Sequence, residues 1–222
     1  MSPTTRVLLE LLALCVPETG RAWAAALTDA GAAARFTADF AAATRRAGQA
    51  PLALDAPARD RLRAAGVDWP LDAWGADDLA RVAMLLHAAD RLPPGALVAL
   101  VEDANAHGDT DERRAVLLAL PLLPDAARFV ALAVDACRTN VRPLFEAIAC
   151  DNPFPQRHFP EASFNQLVLK AVFLDVPLAH VVGLGARRGG ELRRMAADYA
   201  RERRAAGRPV SADLAGLAEE GR

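Results

Sequence analysis

The sequence has almost no lysine, few cysteines and no long apolar run. Among its 26 lysine and arginine residues, only Lys170 is a lysine. No stretch reaches eighteen uninterrupted apolar residues, so no integral membrane segment is predicted. Cys15, Cys137 and Cys150 are far apart and lie among apolar neighbours. Cysteines used in this way are typical of a reducing compartment, and we expect a cytoplasmic protein.

The motifs of common cofactor and catalytic sites are also absent. The sequence contains no G-x-G-x-x-G, Walker-type, H-E-x-x-H or G-x-S-x-G pattern. His87 and His107 stand alone, and His158 and Glu161 lack a second histidine nearby, so neither a cofactor nor a metal is predicted. The formal net charge of -2 gives no electrostatic reason to expect nucleic acid as a partner.

The first residues permit two interpretations. Arg6 precedes the apolar run VLLELLALCV, as in a weak signal peptide. Glu10 interrupts that run, however, and no small-residue cleavage site follows promptly. These features favour an amphipathic first helix.

The residue pattern predicts an all-α protein, because alanine and leucine are abundant and alternating β-branched runs are missing. Trp23, Leu27, Ala30 and Ala34 share a helical face in the second helix, which Gly31 should bend or split. We expect residues 49–76 to form mainly a connecting loop with one short helix. Helices are predicted at 5–16, 20–48, from 77 to near 93, from 94, from 111, at 125–137, 141–150, from 160, at 190–206 and 213–218.

Helix pairs begin near residues 77, 111 and 143, a spacing typical of helical-hairpin repeats. The predicted architecture is an irregular HEAT-like stack of antiparallel helical hairpins, an α-solenoid. We expect residues 1–222 to form a single helical domain. Its parts would be N-terminal helices at 1–48, the hairpin stack at 77–186 and a C-terminal amphipathic helix at 187–208.

The segment NPFPQRHFPEASFNQLVLKAVFL, residues 152–174, is the richest in chemistry. Pro153 and Pro155 predict an extended stretch, and Pro160 suits the first turn of the helix that follows. Arg157 and His158 should therefore lie just outside a helix N-terminus, where they could bind an anion or a carboxylate.

The following helix carries polar residues in an apolar setting. Glu161 and Asn165 share one face, and a buried Asn165 or Lys170 would need partners. Lys170 could act as a base or amine nucleophile, reach water with its ammonium, or pair with an internal carboxylate; we favour the last over chemistry. Glu161 and Lys170 are nine residues apart and face opposite sides of the helix, which argues against a shared catalytic site.

Three motifs in the last third of the chain resemble the EboA family of bacterial proteins. They are N-P-x-P-x-R-H-F-P-E from Asn152, F-N-Q-x-V-L-K-A-x-F from Phe164, and E-L-x-R-M-x-x-D-Y-A-x-E-R-x-A-A-G-R from Glu191. Before the last third, the resemblance rests on the length of the chain, on Trp69 and Trp74 in a W-x4-W arrangement, and on a D-L-A-R run at residues 78–81.

The resemblance implies an accessory protein of secondary metabolism that helps to move a metabolite precursor to the periplasm. It would be a non-enzymatic protein that binds a metabolite or a partner encoded in the same gene cluster. The alternatives are an enzyme that uses the His158, Glu161 and Lys170 region, or a purely structural helical-repeat module. The resemblance carries across no catalytic residue. The shared motif positions are Arg157, His158, Glu161, Asn165, Lys170 and Asp198, and the first five are the candidate ligand-binding residues.

Two other features allow a structural or a binding interpretation. Trp69 and Trp74 should anchor their loop onto the core, although a stacking platform for a ligand is an alternative. In the C-terminal helix, Arg194, Asp198 and Arg201 form a predicted charge ladder on a solvated face. The alternative is an arginine patch for a phosphorylated ligand or anionic lipid, formed by residues 201, 203, 204 and 208.

Overall fold

A computed structural model describes residues 1–29 and 31–219, and these residues confirm the all-α prediction. They contain fourteen α-helices joined by turns, loops and short 3-10 helices, and one isolated antiparallel bridge between Pro51 and Gly75 is the extent of β pairing among them. Ala30, which the sequence placed in the second helix, lies outside the described residues. No helix in the described ranges has the length and apolar character needed to cross a membrane.

The chain forms two compact units, Met1–Ala126 and a second one from Ala127 onward. The division falls inside the range 77–186 that the sequence assigned to one helical stack. The single-domain organisation and its subdivision therefore stay predictions.

The described residues of the first unit contain seven α-helices, and side-chain caps at three of their N-termini explain where those three helices begin. Ser2 accepts a hydrogen bond from the backbone N–H of Thr5 at 3.2 Å, and Asp109 accepts one from Glu112 at 2.9 Å. Asp55 caps the fourth helix in the same way. The helices are α1 Pro3–Cys15, α2 Arg21–Ala26, α3 Ala32–Ala47, α4 Ala56–Ala64, α5 Ala76–Ala89, α6 Pro94–His107 and α7 Thr110–Ala119.

Most of the predicted elements in this unit are present. The helix predicted across 20–48 is split into α2 and α3, and Gly31 caps the start of α3. Trp69 and Trp74 are buried, as expected for residues that anchor a loop. The N-cap of α5 is Gly75, so the helix begins one residue before the predicted start at 77. Asp78 reaches back from the first turn and accepts the Gly75 N–H at 2.7 Å.

Helix α5 is the central helix of the first unit. It is buried along nearly its whole length and packs against α1, α3 and α7. Arg81 of α5 is 1% exposed and donates to the carbonyl of Phe40, to Asp77 and to Thr44, each at 3.0 Å. Thr44 in turn donates to Asp77 at 2.9 Å. Every charged group in this network therefore has a partner, and the network ties α3 to α5.

The second unit is built around buried phenylalanines at 145, 154 and 164. Helix α11 packs on α9 and α13, and the two last helices pack on each other. The predicted helices at 190–206 and 213–218 are confirmed to within a residue. The helices are α8 Val130–Ala136, α9 Arg142–Ala149, α10 Phe154–His158, α11 Glu161–Phe173, α12 Leu184–Arg187, α13 Gly190–Ala205 and α14 Ala212–Ala218.

Candidate functional site

The proline-rich start of the 152–174 segment is helical, so the predicted extended stretch is wrong. Residues Phe154–His158 form α10, with Pro155 in its first turn, where no intrahelical N–H is needed. Buried Asn152 supports this turn by accepting the Phe154 N–H at 2.9 Å and donating to the Ala147 carbonyl at 2.8 Å. The Asn152 side chain thus provides hydrogen bonds at the start of α10, a helix that the proline pattern alone does not predict.

Arg157 and His158 lie in the last turn of α10, shortly before α11 begins at Glu161. The His158 ring is half-buried and packs on Phe154, with 4.8 Å between ring centroids. Burial and the nearby Arg157 charge lower the pKa of His158 below its ordinary value. His158 is therefore mainly neutral at neutral pH.

Glu161 and Asn165 share a face of α11 but differ in environment. Glu161 is exposed, and its carboxylate lies against Gly189. A Cβ atom added to Gly189 would lie 3.3 Å from Oε1 of Glu161. Asn165 is 1% exposed, and neither its Oδ1 nor its Nδ2 has a hydrogen-bond partner. An unpaired buried polar group costs about 1 to 3 kcal/mol.

Lys170 pairs with backbone carbonyls, so our expectation of an internal carboxylate is wrong. Its Nζ donates to the Cys137 oxygen at 2.7 Å and to the Thr139 oxygen at 2.5 Å, and it lies 5.2 Å from the centre of the Phe145 ring. Both carbonyls follow the end of α8, where backbone oxygens lack helical partners and a cation is favourable. The lone lysine therefore closes the end of α8.

Three of the five predicted residues contact different neighbours. Glu161 points toward Gly189, Lys170 points toward the end of α8, and His158 packs on Phe154. The opposite faces of Glu161 and Lys170 agree with their nine-residue separation. Within the described residues, no three histidine, cysteine or acidic side chains come together as a metal site requires.

Arg187 is an important member of this region that sequence reasoning did not single out. Its guanidinium donates to the carbonyls of Pro155 at 2.8 Å and Phe159 at 2.7 Å, and more weakly to Gln156 at 3.2 Å. It also stacks 4.3 Å from the centre of the Phe164 ring. Arg187 therefore closes the end of α10 as Lys170 closes α8. The only signal in the sequence was the locally basic stretch that begins at Arg187.

A separate cleft lies within the first unit, between α3, the last turns of α5 and the middle of α6, with a volume of about 120 Å³. Most of its wall is apolar, and its polar members are Asp39, His87 and Arg91. Apolar surroundings with a few placed polar groups are typical of small-molecule sites. Its main apolar contributors are Leu27, Phe36, Met84, Leu92 and Leu100.

His87 is the distinctive polar group of the cleft. It is 6% exposed, its Nε2 contacts the Arg91 guanidinium, and its buried Nδ1 has no partner. Burial is the main cause, and Arg91 a further one, of a pKa below the ordinary imidazole value. The sequence left His87 as an isolated histidine. Its spacing of four residues from Arg91 on a largely apolar helix was the available signal.

Comparison with known proteins identifies the family to which the chain belongs. A family model described as "Metabolite traffic protein EboA" matches residues 7–219, a range that covers most of both units. No curated protein and no solved structure matches the chain. The match extends the resemblance well beyond the motifs of the last third. The chain therefore belongs to the EboA family of metabolite traffic proteins.

Proposed function

We propose that this EboA-family chain is a non-enzymatic accessory protein that holds a small metabolite in the cleft of its first unit. The observation that carries the proposal is the cleft itself: it is mostly apolar, and one of its lining residues, the buried His87, has an Nδ1 without a hydrogen-bond partner. A ligand pocket combines apolar area, which supplies affinity, with a few polar groups, which fix orientation.

The divergence of the motif residues favours binding over catalysis. General acid–base chemistry needs its groups within hydrogen-bond reach of one substrate. Lys170 is engaged with the Cys137 and Thr139 carbonyls, and Glu161 lies on the other face of α11. An enzyme that uses His158, Glu161 and Lys170 together is therefore the less supported alternative.

The wider setting follows the family. We propose a bacterial, cytoplasmic protein that handles a secondary-metabolite precursor on its way to the periplasm, with helices arranged as a HEAT-like stack. Arg157, His158, Glu161, Asn165 and Lys170 remain proposed as a secondary ligand-binding region. Asn165 is the strongest member, because its buried amide lacks partners.

The test blocks the cleft by Ala88→Leu and uses Ala89→Leu as the matched control. Both alanines are partly buried near the end of α5, and Ala88 lines the cleft. Native mass spectrometry of protein purified from cells that express the surrounding pathway should detect a bound small molecule with the wild type and with Ala89→Leu. Ala88→Leu should lose the bound molecule and the metabolite export. Capture of the same molecule by both variants, or of none by the wild type, would refute the proposal.

A second candidate function is the docking of a pathway protein on α11, as in an interaction module. Phe173 is 63% exposed at the end of this helix, of which six other residues are buried. Exposed aromatic side chains often act as anchors in protein interfaces. Phe173→Ser should weaken binding to a purified protein of the same gene cluster at least about tenfold. Leu14→Ser, at a position 74% exposed in the first unit, is the control. Equal binding by both variants would remove this candidate.

A further inference from the structure

The contact between His87 and Arg91 fixes the position of the imidazole proton. A guanidinium has only hydrogen-bond donors, so the Nε2 that contacts Arg91 must present its lone pair. A neutral imidazole then carries its proton on Nδ1. The unpaired buried Nδ1 of this cleft-lining histidine is therefore an N–H donor, and the matching group is an acceptor.

The other charged groups of the cleft already have partners. Asp39 accepts from the Trp23 indole at 3.0 Å and from Arg35 at 3.4 Å. Arg91 contacts His87, and its charge is opposite to that of Asp39. The cleft therefore favours neither an anionic nor a cationic ligand. Burying an unpaired ionic group among its apolar side chains would be unfavourable.

The size of the cleft restricts the group that it can take. A closed apolar cavity of about 150 Å³ accommodates benzene, as known from an engineered lysozyme. The volume of about 120 Å³ therefore fits one small ring or a short branched chain. A larger molecule would insert only its apolar end, because the cleft is open on one side.

We infer that the cleft binds an uncharged, mainly apolar group with an oxygen acceptor, such as a ketone, ester or ether, that accepts from His87 Nδ1. The inference rests on the proposed function, since it names the chemical class of the molecule held there. Phe36 and Met84 supply apolar contacts, and the single N–H orients the acceptor. The cleft selects an acceptor over a hydrocarbon of equal shape, because only the acceptor satisfies the buried donor.

The test uses cyclohexanone and methylenecyclohexane, two probes of nearly equal shape that differ in their acceptor. Their dissociation constants are measured by NMR titration with wild type, His87→Phe and Met84→Leu, all first shown to be folded. The ratio of ketone to hydrocarbon affinity should fall about threefold to tenfold in His87→Phe, the loss expected for one hydrogen bond. Met84→Leu should leave the ratio unchanged, because it alters only apolar contacts.

Nitrogen-15 spectra of the histidines supply a second readout, with the His87 signals assigned by their loss in His87→Phe. The free protein should carry the His87 proton on Nδ1, and cyclohexanone should shift that signal more than methylenecyclohexane does. A proton on Nε2, an unchanged affinity ratio in His87→Phe, or no binding of either probe would overturn the inference.

The two proposals can fail separately. If the probes behave as expected but no pathway metabolite is captured, the chemistry of the cleft stands and the traffic role is wrong. If Ala88→Leu loses the metabolite but the ratio of ketone to hydrocarbon affinity is the same in wild type and His87→Phe, the traffic role stands and the inferred ligand class is wrong.

Discussion

At the scale of single residues, Lys170 shows how a cation can stabilise a protein without an anion. Its ammonium satisfies two carbonyls beyond the end of α8 and lies over the Phe145 ring. Lys170→Met keeps most of the apolar stem and removes the donor. We expect it to lower the free energy of unfolding by about 1 to 3 kcal/mol, measured by urea denaturation.

The control is Gln166→Met, an exposed position one turn earlier on α11. Surface substitutions of this kind change stability by about 0.5 kcal/mol or less. Equal unfolding midpoints for wild type and Lys170→Met would show that the two carbonyl bonds contribute nothing.

His87 predicts a pH dependence of stability. Burial and Arg91 lower its folded pKa, while Asp90 acts weakly in the other direction and the N-terminal amino group adds to the lowering. The unfolded chain therefore binds the proton more readily than the folded one. Stability should be fully present above about pH 6.5 and should fall as the pH drops from there toward the folded pKa.

The measurement compares unfolding of wild type and His87→Leu at about pH 7.5 and about pH 5.5. The wild type should lose more stability on acidification than the variant. His158, whose pKa is also lowered, acts in the same direction in both proteins and cancels in the comparison. A variant that loses as much stability as the wild type would contradict the assignment to His87.

Sequence reasoning located the polar residues of α11 but not their partners. It predicted that Lys170 would need a partner and expected a carboxylate. The actual acceptors, Cys137 and Thr139, are more than thirty positions away and act through backbone atoms that every residue has. No side-chain pattern can mark a carbonyl as an acceptor. The sequence also could not reveal that Asn165 stays unpaired. For His87, the four-residue spacing from Arg91 was a signal of the pair but not of the cleft that the pair lines.

At the scale of elements, α10 is a five-residue helix that depends on a distant residue. A helix this short has no stability of its own in water. Arg187 supplies donors to the carbonyls at its end and stacks on Phe164. Arg187→Met should reduce the free energy of unfolding by about 2 to 3 kcal/mol and speed amide exchange at residues 157 and 159.

Arg187→Lys should recover only part of the loss, because an ammonium cannot donate in the planar fork that reaches two carbonyls at once. Arg194→Met is the control, since Arg194 pairs with Glu191 and Asp198 on the exposed face of α13. Full recovery by lysine would indicate that charge alone matters at this position.

The helices that the sequence predicted best have local start and stop signals. Pro17 follows α1, Gly31 separates α2 from α3, and Asp109 with Glu112 forms a capping box for α7. Helix α10 was missed because its start depends on Asn152 and its end on Arg187. Elements held by distant side chains cannot be found from local periodicity.

At the scale of the whole molecule, the formal net charge is -2, and arginines near the C-terminal end of α13 have partners within the chain. Arg201 contacts Asp198, and Arg203 donates to the Pro209 carbonyl at 2.7 Å and to Tyr199 at 3.1 Å. The alternative arginine patch for anionic lipid is thus partly neutralised. Little of the protein should co-sediment with vesicles that contain anionic lipid at about 150 mM salt.

The paired substitutions Glu191→Gln and Asp198→Asn should increase sedimentation with anionic vesicles, because they free Arg194 and Arg201 from their carboxylates. Neutral vesicles serve as the control. Strong sedimentation of the wild type would instead support the lipid-binding interpretation of this stretch.

The hydrogen bonds from Arg187 to the end of α10 also have a consequence for protein synthesis. The ribosome makes α10 well before it adds Arg187, so the helix must wait as an unfinished turn while the next helix is made. The same holds for α8, whose end awaits Lys170. We therefore expect a nascent chain that stops before Arg187 to leave the segment around Pro155 open to proteases, however well its preceding helices have formed.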